Sequence, residues 1–275
     1  MAWILPDWPA HPKVRALSTQ RRGGVSAAPF ESFNLGTHVG DRAEAVAENR
    51  RRLYTAARLP SEPVWLSQQH GTNVVDLDGA PDMALGADSA ACAGLDAGDA
   101  SVRTGDAPMR AQDVPERADA AITHRPGRVC AILTADCLPV LIASESGAGV
   151  AAAHAGWRGL AAGVIEATVR ALALPPSSLL AWLGPGIGRA HFEIGAEVRE
   201  ALLRTDPEAQ AAFEQNARGR YMADLAALAR RRLERLGIAR IYGGDACTYA
   251  APEDYFSHRR DGRTGRQASL IWLEK

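Results

Sequence analysis

A chain of 275 residues, 47% of them hydrophobic, is long enough to bury a large core. Its 31 basic and 32 acidic residues leave a net charge of −1, so there is no global electrostatic reason to expect nucleic acid or an anionic membrane as partner. Four cysteines in a chain this long do not look like a disulfide framework, and the lack of a C-x-x-C pair excludes a zinc ribbon and a thioredoxin motif.

The N-terminus has no basic n-region, and Pro6 breaks its only apolar run. No stretch reaches the length of a spanning helix, so the expected location is the cytoplasm. "VRALST" reads as a strand, and residues 41–57 as an amphipathic helix with Val46, Leu53 and Ala57 at helical spacing. "VWLSQQ" and "VVDL" read as strands. Residues 80–117, rich in Ala, Gly and Asp, read as an exposed loop insertion. From Ala118 four short apolar runs follow, "ADAAIT", "VCAIL", "PVLIA" and "GVAAAH", each with the look of a buried strand. One helix is expected over "GLAAGVIEATVRALAL", ending before Pro175. "LLAWLG" is a strand that runs into the turn "GPGIG". Helices are expected at "GAEVREALLRT" and "MADLAALARRRLERLG", then strands at "ARIYGG" and "ASLIWL". Mixed elements without a strict βαβ rhythm point to α+β or mixed α/β layers.

Three residues at strand ends carry the chemistry. Cys137, in "LTADCLPVLI", is flanked by Asp136 and Pro139, which argues for a polar pocket rather than a packed core. Cys130, inside "VCAIL", reads as a small buried hydrophobe. His154 precedes Ala155-Gly156-Trp157-Arg158-Gly159, where small residues admit a ligand to the backbone and Arg158 with helix-start amides favours an anion. His70, in "LSQQHGTNVV", ends another predicted strand. A thiolate and two imidazoles suit zinc and leave a fourth position open; a thiol beside an imidazole also suits nucleophile and base. The arginines of "STQRRGGVS" and "SHRRDGRTGRQASLIWL" read mostly as solvated loop charge, and His38 and His258 as surface or structural residues.

These motifs, with "FNLGTHVGD" and "LGPGIG…FEIGAEV", occur in one order that resembles the YfiH/laccase-domain family over nearly the whole chain. The resemblance implies a single domain over residues 1–275, built of two packed mixed β-sheets flanked by helices and related to cysteine hydrolases. It implies a metal triad at His70, Cys137 and His154. It further implies phosphorolysis of adenosine, inosine, guanosine and methylthioadenosine, together with adenosine deamination. Two departures are visible. The segment between His70 and Cys137 is longer than usual for the family, and His258 stands where an aromatic residue is common.

Phosphorolysis requires a phosphate held beside the anomeric carbon, for which Arg22 and Arg158 are the candidates. Deamination requires an activated water, which an open Zn2+ position supplies. Asp136 is the candidate general acid. Cu2+ can occupy the same ligands, but a multicopper centre needs more imidazoles than seven histidines with no His-x-His pair provide. The alternatives are a Cys137/His154 amide hydrolase editing cell-wall precursors, a copper-dependent polyphenol oxidase, and a non-enzymatic scaffold. The expected partners are purine nucleosides and phosphate, with no nucleic acid or membrane, for a monomer or homodimer.

Overall fold

The computed structural model describes residues 2–79 and 116–275. The expected 80–117 insertion, Cys92 included, lies outside the described residues except for Glu116 and Arg117, which are exposed.

Two mixed sheets pack face to face. The first runs, edge to edge, Trp3–Ile4, Val14–Thr19, Gln267–Leu273, Val129–Thr134 and Val64–Trp65. The second runs Arg240–Gly243, Leu179–Leu183, Leu138–Ser144, Val150–Ala155, Ala120–Thr123 and Val74–Asp76. The central strands are buried at every position and mostly apolar because both faces are covered. Along Leu138–Ser144, Val140 and Ile142 face one apolar cluster while Leu141 and Ala143 face another. The second of these clusters fills the space between the sheets, where Cys130, Ile132 and Ile271 meet Leu141, Ala152 and Trp182. The helices Val164–Leu172 and Leu225–Arg235 cover the far face of the second sheet through Val169, Leu172, Leu228 and Leu233. The helix Ala43–Ala56 covers the outer face of the first sheet, Leu53 packing with Leu17, Ala131 and Leu270. The expected two-sheet, helix-flanked architecture is therefore present. No helix among the described residues is long and apolar enough to cross a membrane.

Some local expectations change. The helix expected from Gly159 to Leu174 is two helices, Trp157–Ala162 and Val164–Leu172. Gly163 between them takes φ 94°, a left-handed conformation that ends the first helix. The helix expected from Met222 starts at Leu225, capped by Asp224, whose carboxylate accepts from the Ala227 N–H at 2.8 Å. Tyr221–Ala223 is instead the middle strand of a third, small sheet with Glu193–Ile194 and Phe213–Gln215. Strands of two or three residues carry too little alternation to be read from sequence.

Register places the site. Pro139 lies opposite His154 in one antiparallel pair, and Ala120 lies opposite Ala153 in the next. Cys137, His154 and Asp119 therefore emerge together at one end of the second sheet.

Candidate functional site

Asp119 organises this end of the sheet. It precedes the strand Ala120–Thr123 and is almost wholly buried. Its Oδ1 accepts from the His70 N–H at 2.8 Å and from His154 Nδ1 at 2.9 Å. Its Oδ2 accepts from the Gln69 N–H at 3.1 Å and the Gly71 N–H at 2.7 Å. Three successive amides thus wrap one carboxylate and hold His70 at φ 59°, a left-handed conformation unusual for a residue with a side chain. Burial pushes the Asp119 carboxyl up, but the bonds from His154, Gly71 and Gln69 bring it below its ordinary value.

Because Asp119 is an acceptor, the proton of a neutral His154 sits on Nδ1, which leaves Nε2 for the cavity once the imidazolium gives up its second proton. His70 Nε2 lies 3.9 Å from Cys137 Sγ. The two imidazole rings meet edge to face with centroids 4.7 Å apart. The ligand atoms of His70, Cys137 and His154 all lie within 4.8 Å of one another. A tetrahedral zinc with Zn–S of about 2.3 Å and Zn–N of about 2.0 Å has an S–N edge of about 3.5 Å. The donor set and the His154–carboxylate bond therefore fit a metal ion, with small closing movements of exposed His70. Gly156 leaves the room, since a Cβ there would stand 2.8 Å from Cys137 Sγ and 3.3 Å from the His70 ring.

The thiol is activated even without metal. Burial pushes Cys137 up, yet the His154 charge, the His154 contact and the His70 contact bring it down to about 6. Burial pushes His154 down, but the Cys137 charge and the Asp119 bond raise it to about 9. Between these values the pair is thiolate and imidazolium. In chelator-treated protein, alkylation of Cys137 by iodoacetamide should keep half its maximal rate near pH 6, and peptide mapping after labelling would check this. A rate that falls away near pH 9 would overturn it.

Asp136 is also in the cavity wall, at φ 95°. Its Oδ1 accepts from Thr248 Oγ1 and its Oδ2 from the Arg259 N–H, both at 2.6 Å. Its carbonyl accepts from the Ile187 N–H at 2.8 Å. These bonds fix the turn that presents Cys137. The cavity holds about 460 Å³ and is walled by Trp157, Ile187 and Phe192, with Arg158, Arg259 and Arg266 around it. Arg158 lies over the Trp157 ring at 4.4 Å. Arg22 is not brought to the cavity: it bonds the Glu253 carbonyl at 2.8 Å and pairs with the Glu253 carboxylate.

The family described as multi-copper polyphenol oxidoreductase laccase matches residues 15–274. The chain belongs to that family, the YfiH/laccase-domain family. It is 48% identical over 270 residues to "Purine nucleoside phosphorylase YfiH" of Escherichia coli (strain K12), covering 98% of both chains. It is 48% identical over 274 residues to a purine nucleoside phosphorylase of Pseudomonas aeruginosa, covering 99% of both. Among solved structures, a Neisseria meningitidis protein superposes with a TM-score of 0.85 at 41% identity, covering 100% of both chains. YlmD from Geobacillus stearothermophilus gives 0.83 at 29% identity, covering 100% of this chain and 97% of the other.

The sequence reading missed Asp119, Arg259 and Arg266 in this family member's site. Asp119 carried a local signal, a carboxylate directly before an apolar strand. The arginines sit in a glycine-broken loop whose path only the fold determines. His38 and His258, read as surface or structural, also line the cavity. Burial and the charges of Arg266 and Arg50 hold the His38 imidazole below its ordinary value.

Proposed function

We propose that this chain, as one domain, is a purine nucleoside phosphorylase. The reading rests on one cavity that combines the Cys–His triad, apolar walls and arginines. The name carried by relatives of almost equal length supports it. The volume falls in the range of small-molecule sites, about 300–1,000 Å³. Trp157 and Phe192 offer apolar surface to a purine, and the arginines offer charge to phosphate. In the reaction the C1′–N9 bond breaks, a phosphate oxygen bonds C1′, and the purine takes a proton. Asp136, with both oxygens occupied, is assigned to positioning Cys137 rather than to that proton transfer.

His70, Cys137 and His154 would hold zinc, with Cu2+ able to compete for the same donors. Bound zinc would supply a Lewis-acidic centre that lowers the pKa of a water, as adenosine deamination requires. The proposed substrates are adenosine, inosine, guanosine and methylthioadenosine. Inosine with phosphate should give hypoxanthine and ribose 1-phosphate, resolved by chromatography; free ribose at every phosphate level would make the chain a hydrolase.

Arg158→Ala should raise the phosphate KM roughly tenfold, the low end for a charge-assisted bond because the side chain is exposed. Adenosine deamination should change less. Equal loss of both activities would place Arg158 on the purine or in the architecture.

One observation favours a second reading. Asp119, His154 and Cys137 form a carboxylate–imidazole–thiol chain of the kind thiol hydrolases use. Cleavage of a cell-wall amide by chelated protein would support it; dependence of all turnover on metal would dismiss it. Multicopper oxidation lacks ligands, since the triad is the only such His/Cys group among the described residues.

A further inference from the structure

We infer that Arg266 is the anion seat of this cavity and binds a phosphate through its Nε and Nη2. The inference deepens the proposed phosphorylase reading, because it names the group that holds the co-substrate. Arg266 stands directly before the strand Gln267–Leu273, at the end of the first sheet, and lines the same cavity as the triad of the second. Its backbone N–H donates to Asn34 Oδ1 at 2.9 Å. Its Nη1 donates to the carbonyls of Thr264 and Gly265, each at 2.9 Å. Gly36 packs on the side-chain stem so closely that a Cβ there would stand 2.8 Å from Arg266 Cγ. The guanidinium is therefore held through Nη1 and a packed stem before any ligand arrives, which removes much of the ordering cost of binding.

What it lacks is a close ion pair: the Cys137 and Asp136 charges favour its charged form only through space. Among the described residues Arg266 has no carboxylate within ion-pair distance, no ring to lie on, and no partner for Nε or Nη2. Other arginines at the cavity differ. Arg158 lies over Trp157, and Arg259 lies over Phe192 at 5.2 Å while donating to the Glu193 carbonyl at 2.9 Å. Arg50, outside this cavity and likewise partly buried, spends Nε and Nη2 on the Leu35 carbonyl and lies over Trp65 at 4.2 Å. Arg266 is partly buried, and burial lowers its pKa from the ordinary value. A partly desolvated guanidinium on the cavity wall, with Nε and Nη2 unspent, is matched by a tetrahedral oxyanion, which can accept both bonds in parallel. Inorganic phosphate and the phosphate monoester of a nucleotide share that chemistry.

The test uses the metal-loaded full chain and calorimetric titration with inorganic phosphate alone, then with AMP alone. Arg266→Met keeps the stem and removes the charge, and should weaken phosphate binding at least about thirtyfold. Arg266→Lys keeps the charge without the fork and should recover only part of that loss. Inosine binding without phosphate should stay within about twofold in both variants, a readout a general collapse of the site would not spare. Loss confined to inorganic phosphate assigns the seat to the co-substrate; loss confined to AMP overturns that assignment in favour of a nucleotide phosphate. Unchanged binding of both anions in folded Arg266→Met and Arg266→Lys overturns the seat altogether. Phosphate binding that depends on Arg266 in a protein unable to cleave inosine would retain the seat and reject the phosphorylase reading.

Discussion

Cys137→Ala should empty the metal site and reduce phosphorolysis below detection, while the protein stays folded. Sγ is the only anionic donor of the triad, and the thiolate is the form that binds metal. The two imidazoles that remain are neutral ligands, one of them exposed, and hold a divalent ion far less tightly. Cys137 sits outside the three apolar clusters, so removing its sulfur opens no core cavity. The chelated variant should still unfold cooperatively, less stable than chelated wild type at neutral pH because the buried His154 loses the charge that raises it. Elemental analysis with activity assay and urea denaturation would check both halves. A variant that keeps a full equivalent of metal would sink the triad assignment.

Asp119→Asn should weaken metal binding about 10–100-fold, although Asp119 touches no metal. Each carboxylate oxygen accepts two bonds, Oδ1 from His70 and His154, Oδ2 from Gln69 and Gly71. An amide replaces one acceptor by a donor. Whichever way it points, two N–H groups lose their acceptor and face an NH2. If His154 is one of them, it is free to turn or change tautomer, and the left-handed turn at His70 loses part of its restraint. A buried unsatisfied polar group costs about 1–3 kcal/mol, so a loss of about 2–6 kcal/mol is expected from the pair. Competition with a chromogenic chelator gives the affinity, and urea denaturation gives the stability. Unchanged values for both would show that the loop at His70 holds itself in place.

The strands from Ala118 to Ala155 stood out because burial on both faces makes their runs apolar throughout, bounded by turn residues. Cys137 and His154 stood out because thiol and imidazole at the ends of such runs have no packing reason to be there. Their convergence with His70 to within 4.8 Å agrees with the three-point site read from sequence. Arg22 was read as a phosphate ligand from its type and a neighbouring turn. Its pairing with Glu253 joins opposite ends of the chain, and no local pattern encodes that. Four arginines among glycines, Arg266 included, look for the most part like solvated loop charge. The burial of Arg266 follows from where the last strand enters the first sheet.

The sequence by itself determined the mixed layers, the family and the candidate donor residues, because periodicity, strand-end chemistry and motifs are legible along the chain. The tertiary structure alone decided which groups serve the donors. Asp119 reaches His70 and His154 only through the register of two strand pairs and a left-handed turn, and Arg266 reaches the triad only because the ends of two different sheets meet at one cavity. Hydrogen bonds and desolvation act over a few ångströms of space, so residues far apart in sequence acquire these roles only when the two sheets pack.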